Sequence, residues 1–311
     1  MRLLGVLVTF RRPEALATTL DRLAAQTRSP DRVVIVDNAS DPRIADLVGP
    51  EKSLEWAEYI DAGSNLGPAG GYELGMSRLL ETAEDDDWIM LLDDDDPPFF
   101  DDAFENMERF ASRMMERDRA TGAIGISGGR FDRKKGLVVR IGDDLIHGAV
   151  RVDHITGGGL PCYRVSAVRQ VGKPLAELFF GFEELEYGLR FTDAGFHMYA
   201  DGDQWRRRKH VKRDQGLLPP ETVSVERRAK RRFRMGEPSW RRYYSLRNLI
   251  LILRRLGLHR TAVKVSLGRG FAKPVVNLFL GPRNSWATLG LSLRATRDGW
   301  IGATGRTVEP E

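Results

Sequence analysis

Short apolar runs alternate with helical patterns through the first hundred residues of the chain. Residues 3–8, 33–36 and 88–92 are almost continuously apolar, as is typical of strands buried on both faces of a parallel sheet. Pro13 opens a pattern with leucines at helical spacing, and a second helix is predicted to follow the glycine-rich residues 63–71. This β-α-β-α-β order predicts an α/β fold with a doubly wound, mostly parallel, Rossmann-like sheet.

Polar residues follow three of the predicted strands directly. They are residues 9–12, 37–40 and the four consecutive aspartates 93–96. Ligands of open α/β sheets bind outside the carboxyl ends of the strands, so these segments are predicted to share one crevice. Adjacent buried carboxylates need a cation or water, and their oxygens suit Mg²⁺ or Mn²⁺ carrying phosphates. The alternatives are a solvated acidic loop and, for Asp37, a cap on the following turn.

Two further segments carry candidate chemistry. The loop 63–71 supplies backbone N–H groups and a helix N-terminus, which could receive a phosphate or a nucleoside or could simply form a turn. Glu183 and Glu184 begin a predicted helix after an aromatic segment. Aromatic surroundings would raise the pKa of one carboxyl towards that of a general base, although acids in a first helical turn also favour the helix itself.

Composition narrows the class of protein. The 311 residues hold one cysteine, Cys162, which excludes an internal disulfide framework and a multi-cysteine zinc site. The apolar start of the chain lacks a small-residue cleavage site, and no apolar stretch reaches the roughly 18 residues of a membrane helix. We therefore expect a cytoplasmic protein.

The net charge of +4 conceals a strong asymmetry. Residues 1–204 hold 23 Lys and Arg against 37 Asp and Glu, a net charge of −14, whereas residues 205–311 hold 25 against 7, a net charge of +18. The C-terminal part is therefore expected to meet anions, which could be substrate phosphates, lipid headgroups or nucleic acid.

Taken together and in order, five segments resemble glycosyltransferase family 2, the inverting nucleotide-sugar transferases. The segments are residues 8–10, 36–40, 65–71, 92–95 and 182–190. The acidic run, the helix from Glu183 and the sequence of residues 243–248 look most like the bacterial galactofuranosyl- and rhamnosyl-transferases.

The resemblance implies a GT-A fold over residues 1–215, with a nucleotide-sugar-binding half (1–98) and an acceptor-binding half (99–215). Residues 216–311 would form a basic, mainly helical region. Asp37 would bind a uracil or thymine base, and Asp94 would face the ribose or the donor sugar. The implied nucleotide-sugar pocket comprises Thr9, Phe10, Arg12, Asp37, Asn65, Gly67, Asp93 and Asp94.

The same resemblance implies the metal ligands and the base. Asp93 and Asp95 match the pair of acids that holds Mn²⁺ or Mg²⁺, and His210 matches a histidine that completes the metal shell in some relatives. Relatives usually carry aspartate at the second position of the later acidic pair, where this chain has Glu184. We expect Glu184 to be the base, with Glu183 or Glu186 as the alternative.

The implied reaction moves a sugar, by resemblance galactofuranose or rhamnose, from a UDP- or dTDP-sugar to an acceptor hydroxyl in cell-wall or surface polysaccharide or glycolipid synthesis. A lipid-linked acceptor would suit peripheral attachment to the inner face of the plasma membrane. The basic run 227–234 and an apolar stripe on a helix over 246–258 favour an anionic membrane surface. Alternatively, a helical subdomain packs that stripe on the catalytic domain and leaves its basic face in solvent. The stripe comprises Leu249, Ile250, Leu253 and Leu256.

Two other classes of function stay open from the sequence. Basic runs with interleaved aromatic residues are compatible with a metal-dependent nuclease or polymerase-like protein, but the acidic first part would repel a polyanion, so no nucleic-acid partner is expected. A nucleotidyltransferase would need a basic triphosphate loop after the first strand, where only Arg11 and Arg12 occur. A homo-oligomer is compatible with the sequence.

Overall fold

A computed structural model describes residues 1–48, 54–218, 239–280 and 285–309. The basic run 227–234 lies outside the described residues. By contacts, the chain divides into two compact units. The first comprises Met1–Arg130, Arg140–Ala176 and Glu183–Arg208, and the second comprises Phe131–Val139, Glu177–Phe182 and Lys209–Glu311.

The first unit is built on an eight-stranded mixed sheet with the order β3-β2-β1-β4-β10-β5-β11-β8. Strands β1 to β4 are mutually parallel, as predicted, and β11 runs parallel to β5. Strands β10 and β8 are antiparallel to their neighbours. A smaller sheet has the order β7-β6-β9. The strands are β1 Leu3–Thr9, β2 Arg32–Asp37, β3 Ala57–Asp61, β4 Trp88–Asp93, β5 Thr121–Gly125, β6 Gly128–Asp132, β7 Leu137–Val139, β8 Ala149–Val152, β9 His154–Ile155, β10 Cys162–Arg164 and β11 His197–Asp201.

Helices cover both faces of the large sheet, which confirms the predicted α/β class. Successive residues of a strand point to opposite faces, so β1 and β4 each supply two cores. Leucines of α1 and the Met and Phe residues of α4 pack on one face, and α3 and α6 pack on the other. The helices of this part of the chain are α1 Pro13–Ala24, α2 Pro42–Val48, α3 Gly67–Leu80, α4 Ala103–Arg117, α5 Val165–Val171, α6 Glu183–Asp193 and α7 Gly202–Asp214.

Glycines let α3 approach the sheet unusually closely. A Cβ atom at Gly75 would lie 2.3 Å from Cγ1 of Val6, and one at Gly71 would lie 2.6 Å from Cγ1 of Val8. Both distances are far below van der Waals contact, so any side chain would push the helix away from β1. The later glycines of this segment therefore serve packing of the helix on the sheet.

The second unit contains four helices among its described residues after position 239. They are α8 Trp240–Arg255, α9 His259–Val265, α10 Lys273–Leu280 and α11 Ser285–Ile301, with a π-helical turn over Ser266–Ala272. Helix α8 packs closely on α11, where a Cβ atom at Gly299 would lie 2.9 Å from Cβ of Ile250. In the described parts of the chain, none of the helices combines the length and apolar character that crossing a bilayer requires.

The apolar stripe of α8 does not face outwards. Leu249, Ile250 and Leu253 are buried, and only Leu256 is partly exposed. The expectation that this stripe meets a membrane is therefore wrong, and α8 packs on α11 within the second unit. Periodicity identified the stripe but could not show which surface covers it.

A buried carboxylate joins the first residues of β1 and β4. Asp87 accepts hydrogen bonds from the backbone N–H of Arg2 at 2.7 Å, from Nε of Arg2 at 3.0 Å and from the N–H of Glu84 at 2.8 Å. Burial alone would raise the pKa of Asp87, but these hydrogen bonds outweigh it and hold the pKa below its ordinary value. The ionised form therefore stabilises the fold.

We predict that Asp87→Asn lowers the free energy of unfolding at pH 7 by about 1–3 kcal/mol, the range for a hydrogen bond to a charged group. A carboxylate whose pKa is lowered by folding stabilises the folded state at every pH above its unfolded pKa of about 3.9. This stabilisation is lost as the pH falls through the folded-state pKa. Urea unfolding from pH 7 to pH 3 should show the difference shrink only at the acid end. The exposed neighbour gives the control, Asp86→Asn, and a difference that is constant with pH would contradict the assignment.

Candidate active site

Strand register brings the predicted polar segments to one edge of the sheet. Thr9 pairs with Asp37 across β1 and β2, and Val8 pairs with Asp93 across β1 and β4. The chain runs outward from β1 through β2 and β3 and then returns to the other side of β1 with β4. Such a switch in strand order opens a crevice between adjacent loops at the carboxyl edge. The predicted convergence of these segments is confirmed.

Asp94 is buried between the ends of β1 and β4. Its Oδ2 accepts a hydrogen bond from the Thr9 hydroxyl at 2.8 Å, its Oδ1 lies 3.3 Å from the Arg12 guanidinium, and the Phe10 backbone also donates to it. Burial nevertheless raises the pKa of Asp94, because these donors do not fully replace water. Thr9, Phe10 and Arg12 therefore meet one carboxylate.

Asp93, the last residue of β4, has a different partner. The Tyr72 hydroxyl donates to its Oδ1 at 2.6 Å. Burial raises the pKa of Asp93, the tyrosine bond opposes this, and the charges of the three following aspartates raise the pKa further. Burial and the charge of Asp93 also raise the pKa of Tyr72, which keeps the phenol a neutral donor. The site thus holds more negative charge than its donors neutralise.

Gly157 lies beside two acidic residues, Glu184 and Asp93. A Cβ atom there would lie 2.9 Å from Oε1 of Glu184 and 3.0 Å from Oδ2 of Asp93. One oxygen of each carboxylate therefore lies close to the same point beside Gly157. The Gly157 N–H group donates to Glu184, as does the N–H of Glu184 itself at the start of α6. The absence of a side chain at position 157 is what lets these acids meet.

The environment of Glu184 suits a general base. Burial, together with the charge of Asp93, raises the pKa of Glu184 to about 7, against the two backbone hydrogen bonds that favour its ionised form. A base is most effective when its pKa lies near the working pH. Glu183 begins the same helix beside it, whereas Glu186 is bound by Arg190 through both carboxylate oxygens and is committed to that ion pair.

Asp37 is fully buried, and its carboxylate is used locally. Oδ1 accepts from the N–H of Ala39 at 2.8 Å, and Oδ2 accepts from the N–H of Asp41 at 2.7 Å and from the Tyr59 hydroxyl at 3.2 Å. This is the turn-capping role that the sequence left open for Asp37. Its contact with a nucleobase stays a prediction.

The start of α3 has a defined turn. Asn65 accepts the N–H of Gly67 at 2.9 Å through its side chain, and Gly67 has φ of 69°, a left-handed conformation that favours glycine. The carbonyl of Gly67 accepts the buried Asn38 amide at 3.0 Å. These bonds fix the loop beside the crevice, so Asn65 and Gly67 shape this edge of the site whatever ligand it takes.

The remaining aspartates of the run are paired with arginines. Asp95 forms an ion pair with Arg12, and Asp96 is bound by Arg208 at 2.8 Å through both oxygens. Among the described residues, no three His, Cys, Asp or Glu side chains gather as a ready metal site. The chemistry of Asp93 and Asp95 nevertheless fits a hard divalent cation, since both offer carboxylate oxygens within a run of four aspartates.

His210 lies on an exposed part of α7 and belongs to the second unit, so its role as a metal ligand stays a prediction. The same basic segment contains a residue that the sequence analysis did not identify. Arg208 is buried, and besides Asp96 it binds the carbonyl of Gly158. Tyr72 was missed as well. A buried acidic run requires hydrogen-bond donors. Both residues could have been considered on that ground, because Tyr72 directly follows the glycine-rich residues 63–71 and Arg208 lies two residues before His210.

Comparison with known proteins gives a partial match. Residues 6–141 match the model of the glycosyl transferase family 2, a segment that contains β1, β4 and the aspartate run. This segment of the chain is similar to the family 2 glycosyltransferases. Galactofuranosyltransferase GlfT1 of Mycolicibacterium smegmatis is 42% identical over 81 residues, which is 26% of this chain and 26% of that protein. GlfT1 of Mycobacterium tuberculosis is 42% identical over 83 residues, 26% of this chain and 27% of that protein. The match thus spans about a quarter of each relative.

Solved structures with the same fold support the architecture. The mannosyltransferase PcManGT from Pyrobaculum calidifontis, in complex with GDP-Man and Mn²⁺, superposes with a TM-score of 0.54 at 13% identity, over 97% of this chain and 87% of that one. GalNAc-T7 with UDP, GalNAc and Mn²⁺ gives a TM-score of 0.51 at 11% identity, over 65% of this chain and 42% of the other. The predicted GT-A type of fold is therefore confirmed.

Proposed function

We propose that this protein is an inverting glycosyltransferase that moves a sugar from a nucleoside diphosphate to an acceptor hydroxyl. The observation that carries the proposal is the approach of Glu184 and Asp93 across Gly157, inside a chain whose residues 6–141 match the family 2 model. One acid has the pKa of a base, and the other lies in a cluster that needs positive charge. The family match also favours this reaction over the nuclease and nucleotidyltransferase alternatives.

In the proposed reaction, Glu184 accepts the proton of the acceptor hydroxyl while that oxygen forms a bond to the anomeric carbon. The bond from the anomeric carbon to the diphosphate breaks, and the electron pair leaves with the diphosphate. Attack from the face opposite the leaving group inverts the configuration. Glu184 is suited to this step because its raised pKa keeps it a strong enough base near neutral pH.

Asp93 and Asp95 are the residues that we propose to hold Mn²⁺ or Mg²⁺. When bound, such a cation supplies Lewis acidity and neutralises charge on the diphosphate. PcManGT and GalNAc-T7 were both solved with Mn²⁺, which supports a divalent metal for the shared fold. The chain's own contribution is to keep Asp93 ionised through the Tyr72 hydroxyl.

For the donor we propose a UDP- or dTDP-sugar, with galactofuranose ahead of rhamnose because the similar curated proteins are galactofuranosyltransferases. The acceptor is proposed to be a lipid-linked or polysaccharide hydroxyl of the cell wall or surface. Thr9, Phe10 and Arg12 would line the nucleotide side of the site, where Asp94 orders them.

We predict that Glu184→Gln lowers kcat by about 10²–10⁴-fold, the usual effect of removing a general base. Binding of UDP or dTDP should change little, because the substitution is isosteric and removes only the proton acceptor. The measurement is turnover of UDP-galactofuranose and dTDP-rhamnose, with nucleotide binding by calorimetry. Glu183→Gln is the matched control, being the adjacent acid of the same helical turn. Equal kcat for Glu184→Gln and the wild type, or a large loss only in Glu183→Gln, would remove Glu184 from this role.

We also propose that the second unit binds an anionic membrane surface, through residues other than the buried stripe of α8. The segment 259–297 contains no Asp or Glu but has cations that include Arg260 and Lys264. Large apolar side chains along it are exposed, with Phe279 83% and Trp286 74% accessible. Exposed aromatic residues among cations are the combination that binds the interface of an anionic bilayer. The exposed set is Val263, Leu267, Phe271, Val276, Phe279, Trp286 and Leu293.

Sedimentation with phosphatidylglycerol vesicles tests this membrane surface. We predict binding at low salt that weakens at high salt and falls several-fold in Phe279→Ala with Trp286→Ala. Leu217→Ala is the control, because Leu217 is also exposed but lies outside the segment. Failure of the wild type to sediment would contradict the proposal. A change of oligomeric state in the double variant without vesicles would also contradict it, because it would show that these side chains form a surface between copies of the chain.

A further inference from the structure

The loop Glu177–Phe182 runs directly into α6, whose second residue is Glu184, and it belongs to the same compact unit as α8. Two adjacent α8 residues, Arg247 and Asn248, are fully buried and bind this loop. We propose that Arg247 and Asn248 are positioning residues for the base: by fixing the loop, they fix where α6 begins. The inference rests on the proposed function of Glu184.

Asn248 supplies most of the contacts. Its side-chain Nδ2 lies 3.0 Å from the carbonyl oxygen of Leu178, 2.9 Å from that of Phe180 and 2.8 Å from that of Gly181. The orientation of the amide follows from its other side, where Oδ1 accepts from Nε of Arg247 at 2.9 Å. Because an arginine can only donate, Oδ1 faces it and the amide nitrogen faces the loop.

Arg247 extends the same network. Its guanidinium donates to the carbonyl of Leu178 at 2.8 Å and to that of Gly305 at 2.7 Å, and it lies 4.7 Å from the centre of the Tyr244 ring. The described ion pairs include no carboxylate partner for this buried cation, and burial lowers its pKa. A buried charge destabilises a protein unless it is hydrogen-bonded. Because the buried Arg247 donates to backbone carbonyls, we infer that its role is to hold the loop in this conformation.

The loop itself has an unfavourable backbone. Phe179 has φ of 61° and Phe182 has φ of 68°, and both are bulky residues in the left-handed region, with Gly181 between them at 82°. Left-handed conformations of non-glycine residues are unfavourable and persist only where their surroundings impose them. Asn248 and Arg247 bind the carbonyls within this strained stretch, and the Phe179 ring packs on Tyr244 at 5.0 Å.

Chain continuity connects this network to the base. Gly181 precedes Glu184 by three residues, so the path of the loop determines the first turn of α6 and the direction of its N–H groups. The N–H of Glu184 is one of the two donors to its own carboxylate. A misplacement of about 1 Å can cost about 10²-fold in rate even when its cause lies far from the chemistry.

The test compares Asn248→Ala and Asn248→Asp with the wild type in kcat, donor KM, nucleotide affinity and hydrogen exchange of residues 177–186. Aspartate is isosteric but cannot donate to the three carbonyls. We expect kcat to fall at least tenfold in both variants, nucleotide affinity to stay within about twofold, and exchange to accelerate in 177–186 more than elsewhere. Arg254→Ala is the control: it removes a side chain of the same helix, beyond the network, that donates to the carbonyl of Gly299 at 3.0 Å.

Should the Asn248 variants fail to fold, Gly181→Ala perturbs the loop from its own side, because alanine is strained at φ of 82°. It should give the same fall in kcat with nucleotide affinity retained. Unchanged kcat in folded variants, or an equal fall in Arg254→Ala, would overturn the positioning role. Absence of turnover in the wild type would instead reject the proposed transfer reaction. In that case, local acceleration of exchange in 177–186 would still support control of the loop, and its absence would refute it.

Discussion

The site depends on keeping several carboxylates close together at the end of one buried strand. β4 delivers Asp93 and Asp94 into the crevice, and each is stabilised by a neutral donor, Tyr72 for the first and Thr9 for the second. Arg12 and Arg208 bind the outer aspartates. Burial and mutual repulsion still raise the pKa of Asp93. Uncompensated negative charge of this kind is what a diphosphate-bound cation would relieve, and the proposed function follows from it.

Glycine spacing is the second constraint on the site. Gly71 and Gly75 allow α3, which carries Tyr72, to lie against β1, and Gly157 leaves room for Glu184 to approach Asp93. A side chain at any of these three positions would separate groups that the chemistry needs together. The site is thus set by close backbone approach as much as by its acidic residues.

Much of this arrangement could be predicted from the chain. Apolar runs identified β1, β2 and β4, and the rule for parallel sheets placed Thr9 and Asp93 at a common edge. The sequence could not show that the Asp37 carboxylate accepts hydrogen bonds from the following turn, or that Arg208 binds Asp96. Such partners depend on three-dimensional packing. The stripe of α8 was recognised as apolar, but which surface covers a stripe is a tertiary property.

The second unit shows the same limit. Arg247 and Asn248 appeared only as part of a family-like sequence, yet burial gives them a physical role in holding a strained loop. Helical periodicity treats such polar residues as interruptions of an apolar pattern. Buried polar groups are retained when they satisfy specific partners, and here those partners are backbone carbonyls ahead of the proposed base.

Thermal unfolding with nucleotides tests the central claim most directly. UDP, dTDP, GDP and CDP would each be added with Mn²⁺, Mg²⁺ or EDTA, since a ligand that binds only the native state stabilises it by about 2.7 kcal/mol at 100 times its Kd. We expect UDP or dTDP to raise the unfolding temperature in the presence of a divalent cation and to raise it much less in the presence of EDTA. No response to any nucleotide in the presence of either metal would contradict a nucleotide-sugar site.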